Sequence, residues 1–350
     1  MTKPELTLIP HLSIHPDKIC VYNEIHWEPC KPSRYKMNLP IECYLSKMDN
    51  FKGTSTNHNG KVSKHAKRKM VKAIDYLLMM ANPKNSAQMP DGKTVRFCIA
   101  FITLTLPSKQ IHSDNEIKKE CLNQLLIELK TRHRVKNYVW RAEKQKNGNI
   151  HFHIIVDKFI NWNELRNRWN RIINKLGYVD RYQINQKAFH STGFRFRPEI
   201  SKDWDYEHQL KAYREGARHD FKNPNSTDIH SIKRIRNIKN YVTKYLTKNE
   251  DDPNNKHTPD TEHAEQIGRL WGCNTELSDI KGAQLIVDSE IHEALNKVIK
   301  NVNPQIFSDN YFSVYYIDIK QLQEHSPDIL FAEFTRYLVD RFDYHTQLTL

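Results

Sequence analysis

The sequence NYVWRAEKQKNGNIHFHIIVD, residues 137–157, decides the fold of this chain. Two runs rich in β-branched and aromatic residues, 137–145 and 149–157, flank the turn-forming residues Lys146-Asn147-Gly148. Such runs on either side of a short glycine-containing turn predict a β-hairpin. Because side chains alternate between the two faces of a strand, each strand of this hairpin presents a polar and an apolar face.

The elements on either side of the hairpin predict a sheet covered by helices. A buried strand is expected at 95–107, and helices are expected at 63–81, 115–132 and 162–176, where apolar residues recur at helical spacing. Their expected boundaries are Ser63 and Asp114 as N-caps and Gly177 as the end of the third helix. The order of strands and helices predicts an α+β fold, in which an antiparallel sheet carries packed helices.

The flanks of this region give weaker patterns. Residues 1–60 contain six prolines and are expected to be irregular, and residues 190–230 are expected to be polar and rich in loops. The remaining expectations are a helix at 231–248, a charged break at 249–263, a strand at 311–319 and a helix at 329–342. We therefore expect an N-terminal extension with a basic helix (1–90), a central domain (91–250) and a small mixed α/β segment (251–350).

The composition favours a polyanionic partner. Lys and Arg total 54 against 41 Asp and Glu, which gives a net charge of +13 and a pI near 9.3. Surface cations gain affinity for nucleic acid because they release counterions from its phosphates. A basic surface that binds nothing is the alternative.

Cysteines and apolar runs point to a soluble intracellular protein. The six cysteines form no C-x-x-C pair, and we expect them to be reduced thiols. A structural metal site at Cys20 and Cys30 is a lesser alternative. The N-terminus has no long apolar stretch, and no run approaches the length of a membrane span, so no membrane partner is expected.

The hairpin carries a candidate metal site. Alternation puts His151 and His153 on one strand face, and Glu143 is the one acidic residue of the neighbouring strand. Two neutral imidazoles and a carboxylate can bind one divalent ion and leave positions open for a phosphate oxygen and water. This ligand set suits Mn²⁺ better than Mg²⁺ on softness grounds, and both remain candidates. Gln145 or a distant residue could replace Glu143.

The predicted helix 231–248 carries a repeated Y-x-x-K pattern. The repeats are Tyr241 to Lys244 and Tyr245 to Lys248. At 100° per residue both phenols share one flank of the helix with Arg234 and the two lysines. Phenolate is the nucleophilic form of tyrosine, and neighbouring ammonium groups favour it and neutralise a phosphate under attack. Packing of a tyrosine pair is the structural alternative.

Three motifs in order resemble those of the HUH endonuclease family. They are F-I-T-L-T (101–105), H-F-H (151–153) and the doubled Y-x-x-K from Tyr241 and Tyr245, which together span about residues 95–250. The doubled tyrosine is similar to that of two-tyrosine rolling-circle initiators from single-stranded DNA phages and some plasmids. The resemblance implies a sheet that carries the metal site and faces a helix that delivers tyrosine.

The resemblance also implies the roles of the residues. His151, His153 and Glu143 would bind Mg²⁺ or Mn²⁺, and Tyr241 and Tyr245 would attack the scissile phosphate of single-stranded origin DNA, leaving a 5′-phosphotyrosine and a free 3′-hydroxyl. Lys244 and Lys248 would position tyrosine or phosphate. The DNA contacts that we predict are Arg141, Arg234, Lys233, Thr103 and Thr105.

No helicase motif is present, so strand separation is assigned to a host enzyme. The segment Asp91-Gly92-Lys93-Thr94 has Ala87 where a phosphate-binding loop needs its first glycine. We therefore expect a host helicase and polymerase as partners, in the cytoplasm of a bacterial host. The alternatives are a relaxase or single-stranded DNA transposase with the same chemistry, or a non-catalytic protein that binds single-stranded DNA.

Overall fold

A computed structural model of the chain describes residues 6–27, 62–81, 86–88, 94–96, 99–145, 147–199, 204–231 and 268–344. Contacts divide the chain into two compact units. One unit comprises residues 58–277, and the other joins residues 1–57 to 278–350. Within the described part of the chain, no helix is long and apolar enough to cross a membrane. The division at 90/91 and 250/251 stays a prediction, and the contacts group the chain differently.

The described strands are numbered along the chain. They are β1 (Leu6–His15), β2 (Lys18–Trp27), β3 (Ser86–Gln88), β4 (Thr94–Arg96), β5 (Ala100–Leu104), β6 (Tyr138–Lys144), β7 (Ile150–Val156), β8 (Thr227–Ser231), β9 (Trp271–Cys273), β10 (Ala283–Ile286), β11 (Gln305–Ser308) and β12 (Phe312–Tyr316).

The described helices are α1 (Lys64–Met80), α2 (Asp114–Ile117, a π-helical turn Lys118–Leu122, and Asn123–Thr131), α3 (Trp162–Ile173, followed by a 3₁₀ turn Asn174–Leu176), α4 (Tyr178–Phe189), α5 (Tyr206–Arg218), α6 (Ser289–Val302), α7 (Ile319–His325) and α8 (a π-helical turn Pro327–Phe331, then Ala332–Phe342).

A five-stranded antiparallel sheet forms the centre of the 58–277 unit. Its strand order is β8-β5-β7-β6-β9, and the β6–β7 hairpin lies at its middle. One face of the sheet packs on α2, α3 and the start of α4 through a continuous apolar core. This core includes Ile102, Leu104, Leu125, Phe152, Ile154, Trp169 and Tyr178. The predicted α+β fold, with helices on an antiparallel sheet, is confirmed.

The opposite face of the sheet is apolar at one end and polar at the other. Phe101, Val139 and Ile155 are buried on this face. Helix α1 contacts β6 and β9, and it buries one apolar side of its own. The helix begins where the sequence predicts, because the Ser63 hydroxyl accepts a hydrogen bond from the backbone N–H of Ala66. The polar end of the same face holds the candidate metal ligands.

The other unit corrects the expectation that residues 1–60 are irregular. Strands β1 and β2 pair over ten residues each, in a five-stranded antiparallel sheet of order β10-β1-β2-β12-β11. Prolines made this stretch resemble a loop, but Pro10 lies in β1 and its carbonyl accepts a hydrogen bond from Val287. The pairing partners β10 and β12 lie more than 250 residues away along the chain, so no local pattern could indicate them.

Other element boundaries also differ from the sequence prediction. The strand expected at 95–107 is divided into β4 and β5. Ser113, and not Asp114, caps α2, since its hydroxyl accepts from the N–H of Glu116. The region 190–230 contains α5 and β8; α5 buries only Gln209 and so has no apolar stripe that would reveal it.

The outcomes for the remaining elements are mixed. The helix at 162–176 and its end at Gly177, which has φ 74°, are confirmed. The expected strand and helix near the C-terminus correspond to β12 and α8, whereas α6 was missed. The helix expected at 231–248 is wrong at Ser231, which ends β8. Its remaining residues, 232–248, lie outside the described residues.

Candidate metal centre

The β6–β7 hairpin sets the positions of three candidate ligands. In the antiparallel register Glu143 lies directly opposite His151, and Arg141 lies opposite His153. The turn that fixes this register contains Gly148 at φ 82°, a left-handed conformation that glycine adopts without steric cost. Because residues opposite each other project to the same face, Glu143 and both histidines point to one side of the sheet.

The three side chains converge on one point. The Nε2 atoms of His151 and His153 are 3.0 Å apart. The Oε1 atom of Glu143 is 2.9 Å from Nε2 of His153 and 3.9 Å from Nε2 of His151. Among the residues that the structure describes, these three are the one group of His, Cys, Asp and Glu side chains close enough to hold a metal ion. The cysteine alternative gains no support, since Cys20 is outside this group and Cys30 is not described.

The spacing and the donor types fit a divalent cation. Metal–ligand bonds of about 2.1 Å place two neighbouring ligand atoms about 3 Å apart, close to the separations seen here. The Glu143 side chain is 29 % exposed, and His151 and His153 are 12 % and 9 % exposed. The cluster is therefore anchored in the sheet but reachable from solvent on its carboxylate side. Two imidazoles and one carboxylate leave further coordination positions for water or a phosphate oxygen.

A neighbouring strand orients one of the imidazoles. Thr103 of β5 pairs with His153 in register, and its Oγ1 lies 3.3 Å from Nδ1 of His153. The ring of Phe101 lies 5.2 Å from the same imidazole, centroid to centroid. A partner at Nδ1 fixes the ring and directs Nε2 toward the cluster, as the outer partners of metal-bound histidines do. Nδ1 of His151 is buried and has no hydrogen-bond partner among the described residues.

The electrostatics keep the cluster ready to bind a cation. Burial lowers the pKa of His151 to about 4, and the neighbouring His153 acts in the same direction. Burial opposes ionisation of Glu143, but the hydrogen bond to His153 and the nearby positive groups hold the pKa of Glu143 below its ordinary value. At neutral pH His151 is therefore a neutral donor and Glu143 an anion, the forms in which each can bind metal.

The other predicted site residues fall into two groups. Thr103 lies beside His153, Thr105 donates its hydroxyl to the carbonyl of Ser226, and Arg141 is buried on the cluster face. Tyr241, Tyr245, Lys244, Lys248, Arg234 and Lys233 all lie outside the described residues. The role of each of these residues stays a prediction.

The sequence missed one strand next to the site. Strand β8 pairs with β5 and brings Asp228 opposite Thr103 and His230 opposite Phe101. The rings of His230 and Phe101 are 5.4 Å apart, so β8 supports the strand that orients His153. The short run Thr227–Ser231 has no apolar alternation that would mark it as a strand.

Fold and site together define a class of protein. An antiparallel α+β sheet with a His-rich cluster on one face is consistent with the HUH type of endonuclease fold. Residues 99–250 match the model of a family of replication-associated proteins that is named after ORF2 and the gene 2 protein. The resemblance to rolling-circle replication initiators is thereby confirmed, and a role in replication initiation is supported. No curated protein matches the chain significantly, and neither does any solved structure.

Proposed function

We propose that this protein initiates rolling-circle replication by nicking single-stranded origin DNA with a tyrosine nucleophile and a divalent metal. The observation that carries the proposal is the Glu143–His151–His153 cluster, which lies within the segment that matches the replication-associated family. A partly exposed cluster at the polar end of a sheet face has room for a phosphate, as the chemistry requires.

Each residue of the cluster has a defined task in this reaction. Glu143, His151 and His153 hold Mg²⁺ or Mn²⁺, and Thr103 keeps the imidazole of His153 in its binding orientation. When bound, the metal supplies a positive charge that polarises a phosphate oxygen. Buried Arg141 adds a permanent positive charge on the same face and favours ionised Glu143.

The tyrosines supply the nucleophile. The phenolate oxygen of Tyr241 or Tyr245 forms a bond to the scissile phosphorus, and the bond from phosphorus to the 3′-oxygen breaks. The DNA 5′ end is then a phosphotyrosine, and the released 3′-oxygen takes up a proton to become a hydroxyl that a polymerase can extend. Lys244 and Lys248 lower the pKa of the phenols or neutralise the attacked phosphate. Reversal of this step at the second tyrosine rejoins the ends.

The proposed partners follow from charge and from what the chain lacks. The net charge of +13 favours a nucleic acid, and single-stranded or extruded hairpin DNA exposes the phosphate to be cut. Arg234, Lys233, Thr103, Thr105 and Arg141 are the proposed contacts or neighbours of the strand. A host helicase and polymerase would separate and copy the strands in the cytoplasm of a bacterial host.

A covalent-adduct assay tests the proposal. The protein is incubated with end-labelled origin single strand and Mn²⁺, and the label that stays on the protein is mapped to a peptide. We expect a phosphotyrosine in residues 241–245 with the wild type and none with His153→Ala. The control is His292→Ala, an exposed histidine on α6 outside the family-matched segment. Binding of single-stranded DNA without any adduct would instead favour the non-catalytic alternative.

A further inference from the structure

A second candidate site lies at the end of the sheet that carries the metal ligands. It is a polar cavity of about 540 Å³, bordered by the loop after β5, the β6–β7 turn and helix α4. That volume lies within the range of about 300–1,000 Å³ that small-ligand sites occupy. The loop leaves the sheet after Leu104, which pairs with Phe152, and β7 begins at Ile150. The cavity and His151 are thus neighbours at one end of the sheet.

One side of helix α4 forms the first wall of the cavity. Tyr182, Asn185, Gln186 and Phe189 all border it. These residues are three, four and seven positions apart, so they share one face of the helix. Within the part of the chain that the structure describes, the side chains of Tyr182, Asn185 and Gln186 have no hydrogen-bond partner. The wall therefore offers two amides and a phenol that can each donate and accept hydrogen bonds.

The opposite wall is held in place by hydrogen bonds. The Asn149 side chain accepts from the N–H of Gln110 at 2.8 Å and donates to the carbonyl of Ser108 at 2.9 Å. The Ser108 hydroxyl donates to the carbonyl of Tyr178 at 3.0 Å, which ties this wall to the start of α4. These bonds fix both walls relative to each other, so the cavity is preformed and a ligand need not order it.

The floor and the rim add stacking and positive charge. The guanidinium of Arg197 lies 4.6 Å from the ring centroid of Phe189, and that of Arg195 lies 5.2 Å away. Lys109 and Arg197 both border the cavity, and it contains no acidic residue in its lining. Burial raises the pKa of Tyr182, so its phenol remains protonated at neutral pH. A flat π-system, amides and cations together suit a ligand that is flat, polar at its edge and anionic.

We propose that this cavity binds one unstacked base of the DNA strand, with Asn185 and Gln186 reading the base edge, Phe189 supplying a stacking surface, and Lys109 and Arg197 holding the adjacent phosphates. Amide side chains read bases by paired hydrogen bonds, and aromatic rings stack on bases of every type. The proposal rests on the proposed function, since it takes single-stranded DNA as the substrate. His151 is only two residues beyond Asn149, about 7 Å along an extended strand, so one DNA strand can reach both sites.

The test compares strands with and without bases. Binding is measured by fluorescence anisotropy in EDTA, with a labelled strand of about 16 nucleotides that contains all four bases and an abasic strand of the same length. For the double variant Asn185→Ala/Gln186→Ala we expect base-bearing DNA to bind about fivefold more weakly and abasic DNA to bind unchanged. Phe189→Leu, which keeps an apolar side chain but removes the ring, should weaken base-bearing DNA by about tenfold.

Asn167→Ala is the matched control, because Asn167 is an exposed helical asparagine on α3 that does not line the cavity. It should bind both strands as the wild type does. Equal weakening on both strands, or no weakening on either, would overturn the base-binding proposal. So would free deoxynucleoside monophosphates that bind the wild type as tightly as the strand, since the cavity would then be a nucleotide site.

The failure of this proposal can be separated from failure of the proposed function. EDTA prevents nicking, so the binding comparison does not depend on the metal or on the tyrosines. Base discrimination that depends on Asn185 and Gln186, without any covalent adduct in Mn²⁺, would refute the nicking proposal alone. An adduct together with unchanged base discrimination in the variants would refute the cavity proposal alone. A wild type that binds neither strand would refute both.

Discussion

Glu143 and His151 face each other across the β6–β7 hairpin, and their side chains approach to 3.9 Å at Oε1 and Nε2. His153, one step further along the same strand face, lies 2.9 Å from the same carboxylate oxygen. A short hairpin thus brings all the candidate metal ligands together without help from distant parts of the chain. This local origin makes the cluster separable from the rest of the fold, which the following experiments exploit.

Metal binding should stabilise the fold through Glu143. At a Mn²⁺ concentration about a hundredfold above Kd, the free energy of unfolding should rise by about 2.7 kcal/mol, because the ion binds the folded chain only. Glu143→Gln keeps the shape but removes the negative charge, so most of this increase should vanish in thermal melts. Glu215→Gln, an exposed change on α5, should retain it. An equal Mn²⁺-dependent rise in the Glu143 variant would show that the ion binds elsewhere.

Nicking should depend on both histidines. His151→Ala and His153→Ala each remove one of three protein ligands, and we expect the rate of origin-strand cleavage to fall at least about a hundredfold with metal limiting. The rate is measured from the appearance of the free 3′-hydroxyl fragment on a denaturing gel. Cleavage at the wild-type rate by either variant would mean that the metal centre is misassigned.

Thr103 should tune metal affinity without being a ligand. Thr103→Val preserves shape but removes the hydroxyl near Nδ1 of His153, and affinity for Mn²⁺ should fall by about tenfold. Thr105→Val is the matched control on the same segment, since its hydroxyl bonds the Ser226 carbonyl and not a histidine. Calorimetric titration measures both. Identical losses in the two variants would indicate a general disturbance of β5 and no specific support of His153.

The two tyrosines should share the work. Tyr241→Phe and Tyr245→Phe should each retain some first-strand cleavage, whereas the double variant should retain none, because a phenyl ring has no oxygen to attack phosphorus. Release of closed circles, which needs a second nucleophile, should suffer in both single variants. If one single variant is inert and the other completes a full replication round, the enzyme uses one tyrosine, and we expect that residue to be Tyr245.

Glu128 should make the fold sensitive to acid. Burial opposes its ionisation, but hydrogen bonds from Arg171, Gln124 and Arg168 outweigh burial and lower the pKa of Glu128 to about 2. Since the unfolded chain has a pKa near 4.3, the folded state gains stability above that pH and loses it as the pH falls toward 2.

The corresponding variant is Glu128→Gln, which should melt at lower temperature at pH 7 and show a smaller loss of stability between pH 4.5 and 2. Glu120→Gln on the same helix is the control, because Glu120 is exposed and pairs only loosely with Lys119. Unchanged acid sensitivity in the Glu128 variant would mean that other carboxylates dominate.

The sequence by itself determined the candidate metal ligands and the fold class around them. Alternation along 149–157 and the glycine turn at Gly148 are local properties, and together they put His151 and His153 on the same face as Glu143. The helix start at Ser63 and the helix end at Gly177 were equally readable, since capping depends on residues within one turn.

Only the tertiary structure decided which distant segments join these elements. Nothing near Leu6–His15 indicates pairing with Ala283–Ile286, and nothing near Thr227–Ser231 indicates pairing with β5. The same holds for Thr103 beside His153 and for the cavity between α4 and the hairpin turn. Strand pairing exchanges backbone hydrogen bonds that every sequence offers, so the choice of partner depends on burial of side chains summed over the whole sheet, which no short window of residues contains.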